Sequence, residues 1–207
     1  MLKVAFDKSY KHPLDENHRF PMIKYDLIPE QLLRENTCNH ENFFSPSFLE
    51  DNLALLTHCE YYYKRFSSLL LTKKEIRPIG FPMSKELVYR EKKIAKGTIE
   101  CVDFSIKNGI SMNIAGGTHH AFRDRGEAFC MLNDQAIAAN YLLENNKANK
   151  ILIVDLDVHQ VMVRLLFLMK IKMYSHFRFM VKKIIHLKRK SVIWMLTFLT
   201  TQMINFI

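Results

Sequence analysis

Two short polar clusters in the sequence contain residue types that carry out hydrolytic chemistry. The first is the run Gly-Gly-Thr-His-His at 116–120, and the second is Asp-Leu-Asp-Val-His at 155–159. If the backbone of the second cluster stays extended, alternation puts Asp155, Asp157 and His159 on one side. A carboxylate and an imidazole two residues apart suit a divalent metal ion, with zinc favoured. The two clusters together predict a metal-dependent hydrolase.

Each cluster directly follows a segment that is typical of a buried β-strand. Ile110–Ile114 precedes the histidines, and Ile151–Val154 precedes the aspartates. Between the two strands, Asn133 is placed to cap a helix that runs to about Asn145. A strand, a connection with a helix and a second strand predict a βαβ unit in a parallel sheet. Because ligands bind at the carboxyl ends of parallel strands, both clusters should open onto one crevice.

Three further elements complete the predicted framework. A first strand is expected at Leu2–Phe6, followed by a helix from Met22 to about Glu35. The longest helix should begin after Ser84 as N-cap, run to Asn108 and stop at Gly109. Its apolar residues recur at three-, four- and seven-residue steps, as a helix packed on a sheet requires: Val88, Ala95, Ile99, Val102 and Ile106.

The composition divides the chain into two unlike parts. The 207 residues, 48% of them hydrophobic, exclude collagen-like, disulfide-scaffold and disordered classes. Residues 1–160 carry 21 basic and 21 acidic side chains, whereas residues 161–207 carry 9 basic side chains and no acid, glycine or proline. We therefore predict the N-terminal part of a catalytic domain at 1–160 and an aberrant basic, apolar tail at 161–207. Since the main body has no net charge, a nucleic-acid partner is not expected.

The cysteines and the chain ends favour a cytoplasmic location. The four cysteines are widely spaced, form no Cys-x-x-Cys pair and are expected to be free buried thiols. The N-terminus lacks the apolar core of a signal peptide. The uncharged stretch Ser191–Ile207 is short for a membrane span and includes several polar residues, which argues against a membrane anchor. Five further histidines are expected to be surface or capping residues rather than ligands: His12, His40, His58, His176 and His186.

With these motifs the sequence resembles zinc-dependent histone deacetylases. The branch it resembles is the small bacterial, class IV-like one that includes acetoin-utilisation-type proteins. The resemblance is carried by the motifs at 116–126, 129–134 and 155–160, and by His-Arg-Phe-Pro-Met at 18–22 with the following Lys24-Tyr25. It covers about residues 2–160 and then ends abruptly. It implies an arginase/deacetylase-like α/β fold, a parallel sheet with helices on both faces, of which this chain holds the N-terminal half.

The resemblance also implies an activity, the hydrolysis of N-acetyl-lysine or a similar acetylated amine. Asp157 and His159 would supply two of the three zinc ligands of such a site. His120 would act as general base toward the attacking water, and His119 would stabilise charge with Asp155 orienting its ring. Zinc makes a water more acidic and polarises a carbonyl, so an imidazole beside it can shuttle the proton.

Further site residues follow from the same resemblance. Phe129 would form the aromatic wall of an acyl-lysine tunnel, Arg19 would line an internal cavity where acetate collects, and Gly117 would contact substrate. The family also holds a structural potassium ion with backbone oxygens, which here would be those of Asp155, Asp157 and His159. Ala128 departs from the pattern, since the family usually has glycine there, and its methyl group is expected to narrow the tunnel.

The larger departure comes after Gln160. The Gly-Asn-Gly turn, the third zinc ligand and the transition-state tyrosine of the family have no matching motif, so we predict an inactive, poorly soluble truncated fragment. Reading the codons of residues 161–164 one base earlier permits Gly-Asn-Gly-Thr, which is how the family continues. We therefore hypothesise that the tail is a frameshift product.

Two alternatives remain open at the level of sequence. One is an amidohydrolase of the same fold that acts on acetylpolyamines or small acetylated metabolites, which the motifs do not separate from a lysine deacetylase. The other is a non-catalytic binding module in which the basic, apolar tail at 161–207 binds a membrane or a partner.

Overall fold

The computed structural model describes residues 1–155 and, as backbone, two later strands at 171–175 and 192–197. Two 3₁₀ turns and twelve helices and strands make up this part of the chain. The strands are β1 (Lys3–Ala5), β2 (Phe43–Phe44), β3 (Ser111–Asn113), β4 (Lys150–Asp155), β5 (Ile171–Ser175) and β6 (Val192–Thr197). The helices are α1 (Lys24–Arg34), α2 (Asp51–Leu55), α3 (Glu60–Ser67), α4 (Lys73–Ile79), α5 (Lys85–Asn108) and α6 (Asp134–Glu144).

The described strands form two parallel three-stranded sheets. In the first, the order is β2-β1-β3, with Val4 in register with both Phe43 and Met112. In the second, the order is β5-β4-β6, with β4 between the two strands of the tail. Strands that alternate with helices and pair only in parallel confirm the predicted α/β class. The division at residue 160 stays a prediction, although the backbone of the tail contributes two strands.

The long helix α5 is the central element, and its ends are where the sequence places them. The Ser84 hydroxyl accepts a hydrogen bond from the Leu87 N–H at 3.1 Å, and Gly109 ends the helix with φ +88°. The positive φ suits glycine, whose N–H donates to the Ser105 carbonyl at 2.7 Å. Ile106 was expected on the apolar face but is 50% exposed, because it lies in the last turn, beyond the core.

The hydrophobic core lies between α5, α6 and the shorter helices. Its largest fully buried side chains include Tyr63, Phe66, Phe81, Leu87, Ile94, Ile99, Met131, Leu132 and Ile137. Ile151, Leu152 and Ile153 of β4 are buried too, as the sequence predicts. Each buried aliphatic or aromatic side chain contributes about 1.5–3 kcal/mol relative to leaving it exposed. The core includes Ile151 and Ile153 of β4 and Ala115, which follows β3.

Several boundaries and burial predictions need correction. The predicted strand Ile110–Ile114 shortens to β3 and is not buried, since Met112 is 43% exposed. Among the described strands β3 pairs only with β1, so its other edge has no strand beside it. The helix predicted from Met22 begins at Lys24 and ends at Arg34, and it continues through Pro29.

The cysteines and histidines outside the two clusters were predicted with mixed success. All four cysteines are free thiols; three are buried and Cys59 is half-buried. These histidines were expected at surface or capping positions: His12 and His58 are both buried, whereas His40 is exposed. His176 and His186 lie outside the described residues. Within the described part of the chain, no helix has the length and apolar character that crossing a membrane requires.

Candidate active site

The histidine pair lies in the loop that follows β3, which we call the histidine loop (residues 116–120). The ring centroids of His119 and His120 are 4.1 Å apart, with the planes inclined by 46°. His119 is 1% exposed and His120 is half-buried. The Nδ1 atom of His119 lies 3.1 Å from the carbonyl oxygen of Gly117. Since this oxygen can only accept, Nδ1 donates in this contact, which orients the ring from within its own loop.

A buried carboxylate accepts hydrogen bonds from the backbone of the histidine loop and holds it in place. Asp134, at the start of α6 and 1% exposed, accepts hydrogen bonds from the N–H groups of Gly117 (3.1 Å) and Thr118 (2.8 Å). It also accepts from the hydroxyls of Thr118 (2.7 Å) and Thr98 (2.6 Å). A carboxylate with this many donors stays satisfied away from water. Asp134 therefore fixes the backbone that carries both histidines.

The sequence did not single out Asp134 as a site residue. An acid directly after an N-cap asparagine is an ordinary first-turn partner of the helix dipole, so its type carried no special signal. The signal that was available is the pair of glycines. A Cβ at Gly116 would lie 2.8 Å from Asp134 Oδ2, and Gly117 has φ +89°. Gly116 has no room for a side chain because the loop lies close to the carboxylate, and Gly117 has a backbone conformation that favours glycine.

Further hydrogen bonds connect Thr98 to Asn113 and, through Asn113, to Tyr10. The side-chain amide of Asn113, at the end of β3, donates to the Thr98 hydroxyl at 2.8 Å and to the Ile94 carbonyl at 2.9 Å. Its oxygen accepts from the Tyr10 hydroxyl at 3.1 Å. These bonds connect β3, α5 and the segment after β1 beneath the histidine loop. Buried networks of this kind are rigid when every member is satisfied.

His58 holds the other end of the segment between the histidine loop and α6. Its Nε2 atom accepts a hydrogen bond from the Asn133 N–H at 3.0 Å. Asn133 in turn caps α6 through the Ala136 N–H (3.0 Å) and donates to the Ala121 carbonyl (3.1 Å). Burial lowers the pKa of His58 to about 4, so the ring is neutral at pH 7. The histidine predicted to be a surface or capping residue is thus buried and accepts from the backbone of the residue that caps α6.

Phe129 is presented by a two-residue turn, which we call the aromatic turn (residues 127–130). Glu127 and Cys130 exchange backbone hydrogen bonds of 3.0 and 2.9 Å, and between them Ala128 and Phe129 have φ +46° and +65°. Positive φ at both central positions is the pattern of a type I′ turn, which normally selects glycine or asparagine. The N–H groups of Ala128 and Phe129 donate to carbonyls at the end of α4, those of Pro78 (2.9 Å) and Ile79 (2.7 Å).

Aromatic rings and one cation surround the Phe129 side chain. Its centroid lies 4.9 Å from that of Phe81 and 5.0 Å from that of Phe20. The guanidinium carbon of Arg19 lies 4.7 Å from the same centroid, within the range of a cation–π contact. Gly80 lies beneath the ring, where a Cβ would come within 2.9 Å of Phe129 Cε1. The structure thus brings together Arg19 and Phe129, two of the predicted substrate residues.

Charged groups are buried next to this aromatic cluster. Arg90 donates to the Tyr25 hydroxyl at 2.8 Å and forms an ion pair with Glu91. Burial raises the pKa of Glu91 to about 7 and lowers that of Lys24 to about 8. Burial also raises the pKa of the Cys130 thiol, which therefore stays protonated and is a poor nucleophile. Within the histidine loop itself, the side chains suited to proton transfer are the two imidazoles.

The second polar cluster is only partly described. Backbone pairing of Asp155 with Ser175 and Thr197 places it at the end of β4, while its side chain, Asp157 and His159 lie outside the description. Among the described residues, no three His, Cys, Asp or Glu side chains are grouped so as to hold a metal ion. The predicted zinc ligands and the potassium-binding oxygens therefore stay predictions.

Comparison with known proteins identifies the family. The profile of the Histone deacetylase domain matches residues 18–161, so the chain belongs to the histone deacetylase family. An uncharacterised protein of Picosynechococcus is 39% identical over 157 residues, which are 76% of this chain and 52% of that protein. The acetoin utilization protein AcuC of Staphylococcus aureus is 29% identical over 168 residues, covering 75% of this chain and 42% of AcuC.

Solved structures agree on the fold. A histone deacetylase homologue from Aquifex aeolicus superposes with a TM-score of 0.71 at 20% identity, covering 84% of this chain and 50% of that one. A homologue complexed with SAHA gives the same TM-score at 23% identity and the same coverage. The predicted arginase/deacetylase-like fold is thereby confirmed. The chain spans about half the length of the relatives it matches.

Proposed function

We propose that this chain is the N-terminal half of a zinc-dependent deacetylase, the half that supplies the proton-transferring histidines and one wall of the substrate tunnel. The observation that carries the proposal is the pair of adjacent, largely buried imidazoles held over a buried carboxylate at the end of a parallel strand. Membership of the histone deacetylase family supports the same reaction class.

The chemistry can be assigned to this chain's own residues. His120, the more exposed imidazole, would take a proton from the attacking water and return it to the leaving amine. His119, held from its Nδ1 side, would stabilise the charge that develops beside it. Phe129, with the guanidinium of Arg19 over its ring, would confine the acyl chain, and Gly117 would contact substrate through its backbone.

A metal ion fits the donor set of the second cluster. Asp157 and His159 would hold it, and a carboxylate with an imidazole is a combination that zinc accepts. Zinc supplies Lewis acidity toward the acetyl carbonyl and makes a water more acidic. Backbone oxygens of Asp155, Asp157 and His159 would hold potassium. With two zinc ligands in this half, we expect weak zinc binding and little or no deacetylation by the 207-residue chain alone.

Zinc titration of the intact chain tests the proposal. Isothermal titration should detect binding that weakens by at least about tenfold in Asp157→Ala and in His159→Ala, because each change removes a direct ligand. Asp124→Ala, which removes an exposed acid that pairs with Arg125, is the matched control and should bind like the wild type. Equal affinity in all four proteins would contradict the assignment of these ligands.

The substrate class needs a second experiment. Residues 1–160 can replace the matching part of the Picosynechococcus relative, and the chimera and its parent can be assayed against acetyl-lysine peptides and acetylated polyamines. We expect peptide hydrolysis that requires added zinc and disappears in His120→Gln. Hydrolysis of the polyamine alone would favour the small-metabolite alternative. A folded but inactive chimera of an active parent would count against deacetylation.

A further inference from the structure

The side chain of His18 connects two segments of the chain that both contact the Phe129 ring. Its Nδ1 atom accepts a hydrogen bond from the Phe20 N–H at 3.1 Å. Its Nε2 atom lies 2.9 Å from the carbonyl oxygen of Gly80, the residue that follows α4. Since this oxygen can only accept and the Phe20 N–H can only donate, the ring carries its proton on Nε2. The imidazole therefore bridges residues 18–20 and the end of α4.

Ring packing holds the His18 imidazole in this orientation. The ring is half-buried and stacks on Phe81, with the centroids 5.5 Å apart and the planes inclined by 24°. It also lies edge-to-face against Phe129, at a centroid distance of 6.0 Å. Aromatic rings at such distances favour defined relative orientations. The two nitrogen atoms are therefore directed toward their partners by the packing of the ring as well as by the hydrogen bonds.

Both bridged segments determine what lies against the Phe129 ring. Arg19 places its guanidinium carbon 4.7 Å from the ring centroid, and Phe20 packs against the ring at 5.0 Å. A Cβ at Gly80 would lie 2.9 Å from the ring and 3.4 Å from Arg19 Nη2. Gly80 is thus the point where the ring, the guanidinium and the bond from the imidazole meet. A displacement of residues 18–20 from this point would move the guanidinium away from the ring.

We propose that His18 is a positioning residue for the wall of the substrate tunnel, because its Nε2–H bond to the end of α4 keeps Arg19 over the Phe129 ring. The use of this wall in substrate binding rests on the proposed function, whereas the position of Arg19 does not. Arg19 and Phe129 would confine the acyl chain, while the proton-transferring imidazoles lie in the histidine loop. Loss of the bond should therefore weaken substrate binding more than it slows the chemical step.

Proton NMR of the 207-residue protein tests the position of Arg19, with Arg19→Lys used for assignment. Protons above an aromatic face are shielded, so the wild-type Arg19 guanidinium signals should lie upfield of those of exposed arginines. His18→Phe keeps a ring for packing but removes both hydrogen bonds, and it should reduce this upfield shift by at least about half.

Two amide variants separate the two hydrogen bonds of the imidazole. His18→Gln can still donate from its amide nitrogen to the Gly80 carbonyl, so it should retain the Arg19 shift. His18→Asn can accept from the Phe20 N–H but is too short to reach Gly80, so it should lose the shift as His18→Phe does. This pair is matched in polarity and differs in the bond that the proposal requires.

Kinetics of the chimera with the Picosynechococcus relative separate binding from chemistry. In His18→Phe, KM for the substrate that the chimera hydrolyses should rise about five- to tenfold, with kcat within about twofold of the starting chimera. His18→Gln should restore KM to within about twofold. A purely structural role would lower the urea midpoint of every variant and leave both KM and the Arg19 shift unchanged, which would overturn the proposal.

The remaining outcomes distinguish this proposal from the proposed function. Wild-type Arg19 signals without an upfield shift, or an unchanged KM for His18→Phe in an active chimera, would overturn the role of His18. If His18→Phe does not fold, His18→Asn decides, since it should lose the same shift. An inactive chimera, together with an Arg19 shift that depends on His18, would count against the proposed function alone.

Discussion

The histidine loop and the aromatic turn reach fixed geometries by opposite means. In the histidine loop, glycines occupy the positions where space or a positive φ excludes a side chain, and a buried carboxylate satisfies the donors. In the aromatic turn, alanine and phenylalanine occupy positive-φ positions, and backbone bonds to α4 and packed rings hold them there. The comparison teaches that hydrogen bonds to a buried carboxylate define the histidine loop, while packing holds backbone strain in the aromatic turn.

Removing the carboxylate should have the largest effect. Asp134→Ala leaves the N–H groups of Gly117 and Thr118 buried without their acceptor, at about 1–3 kcal/mol for each, whereas the Thr118 and Thr98 hydroxyls keep the carbonyls of Leu132 and Ile94 as acceptors. We expect a loss of more than about 3 kcal/mol in the free energy of unfolding, measured by urea denaturation. Asp124→Ala, at an exposed acid, should stay within about 0.5 kcal/mol of the wild type. One unsatisfied buried group costs at least about 1 kcal/mol, so a smaller loss in Asp134→Ala would mean that all of the donors find other acceptors.

Acid should weaken the support of the histidine loop through His58. Its pKa is lowered from 6.5 to about 4 in the folded state, so the unfolded chain binds the proton more readily between those pH values. Stability from this group is therefore full above pH 6.5 and falls by about 3 kcal/mol as the pH drops toward 4.

The measurement is urea unfolding from pH 7 to pH 4 in the wild type and in His58→Gln. Glutamine can still accept from the Asn133 N–H but does not titrate, so the decline with acid should be shallower. Parallel curves for the two proteins would show that His58 does not carry the effect.

A side chain beneath the Phe129 ring should disturb the wall without touching the histidines. Gly80→Ala adds a methyl group 2.9 Å from Phe129 Cε1 at a residue with φ +81°, which together should cost about 1–3 kcal/mol. Thermal unfolding measures the loss. The nitrogen-15 imidazole spectrum of His119 should be unchanged, and a shifted spectrum would mean that the two regions are coupled.

Relaxing the aromatic turn should have the smallest effect and the opposite sign. Ala128→Gly removes the penalty of an alanine at φ +46° but gains chain entropy in the unfolded state, for a net stabilisation of about 0.5–1 kcal/mol. Differential scanning calorimetry should show a higher Tm. A lower Tm would show that the alanine methyl packs favourably, in the place where the family usually has glycine.

Local patterns predicted the framework well where one residue decides the local structure. Ser84 and Gly109 bound α5, and Asn133 caps α6, because capping depends on a side chain and the few N–H groups next to it. The continuous apolar run of β4 also predicted a buried strand correctly, because this pattern is contained within the strand itself. The run at 110–114 misled, because its burial depends on which strand lies beside it, and the described strands cover only one edge of β3.

Histidine burial could not be predicted from single residues. His12 and His58 have the same sequence signals as exposed histidines, and only the packing of distant segments removes them from water. His58 meets Asn133, which is 75 residues away in the chain. A contact of that separation leaves no local pattern, so the burial of a residue expected at a surface or capping position could not be predicted.

By itself the sequence determined the family, the parallel α/β class and the identity of the paired imidazoles, since these follow from motifs and local periodicity. Tertiary structure alone decided that Asp134 lies beneath those imidazoles and that Arg19 lies over Phe129, because a buried charge and a cation–π contact depend on side chains brought together from separate elements. Residue type supplies a functional group, and only the fold supplies the distance, burial and neighbours that give the group its role.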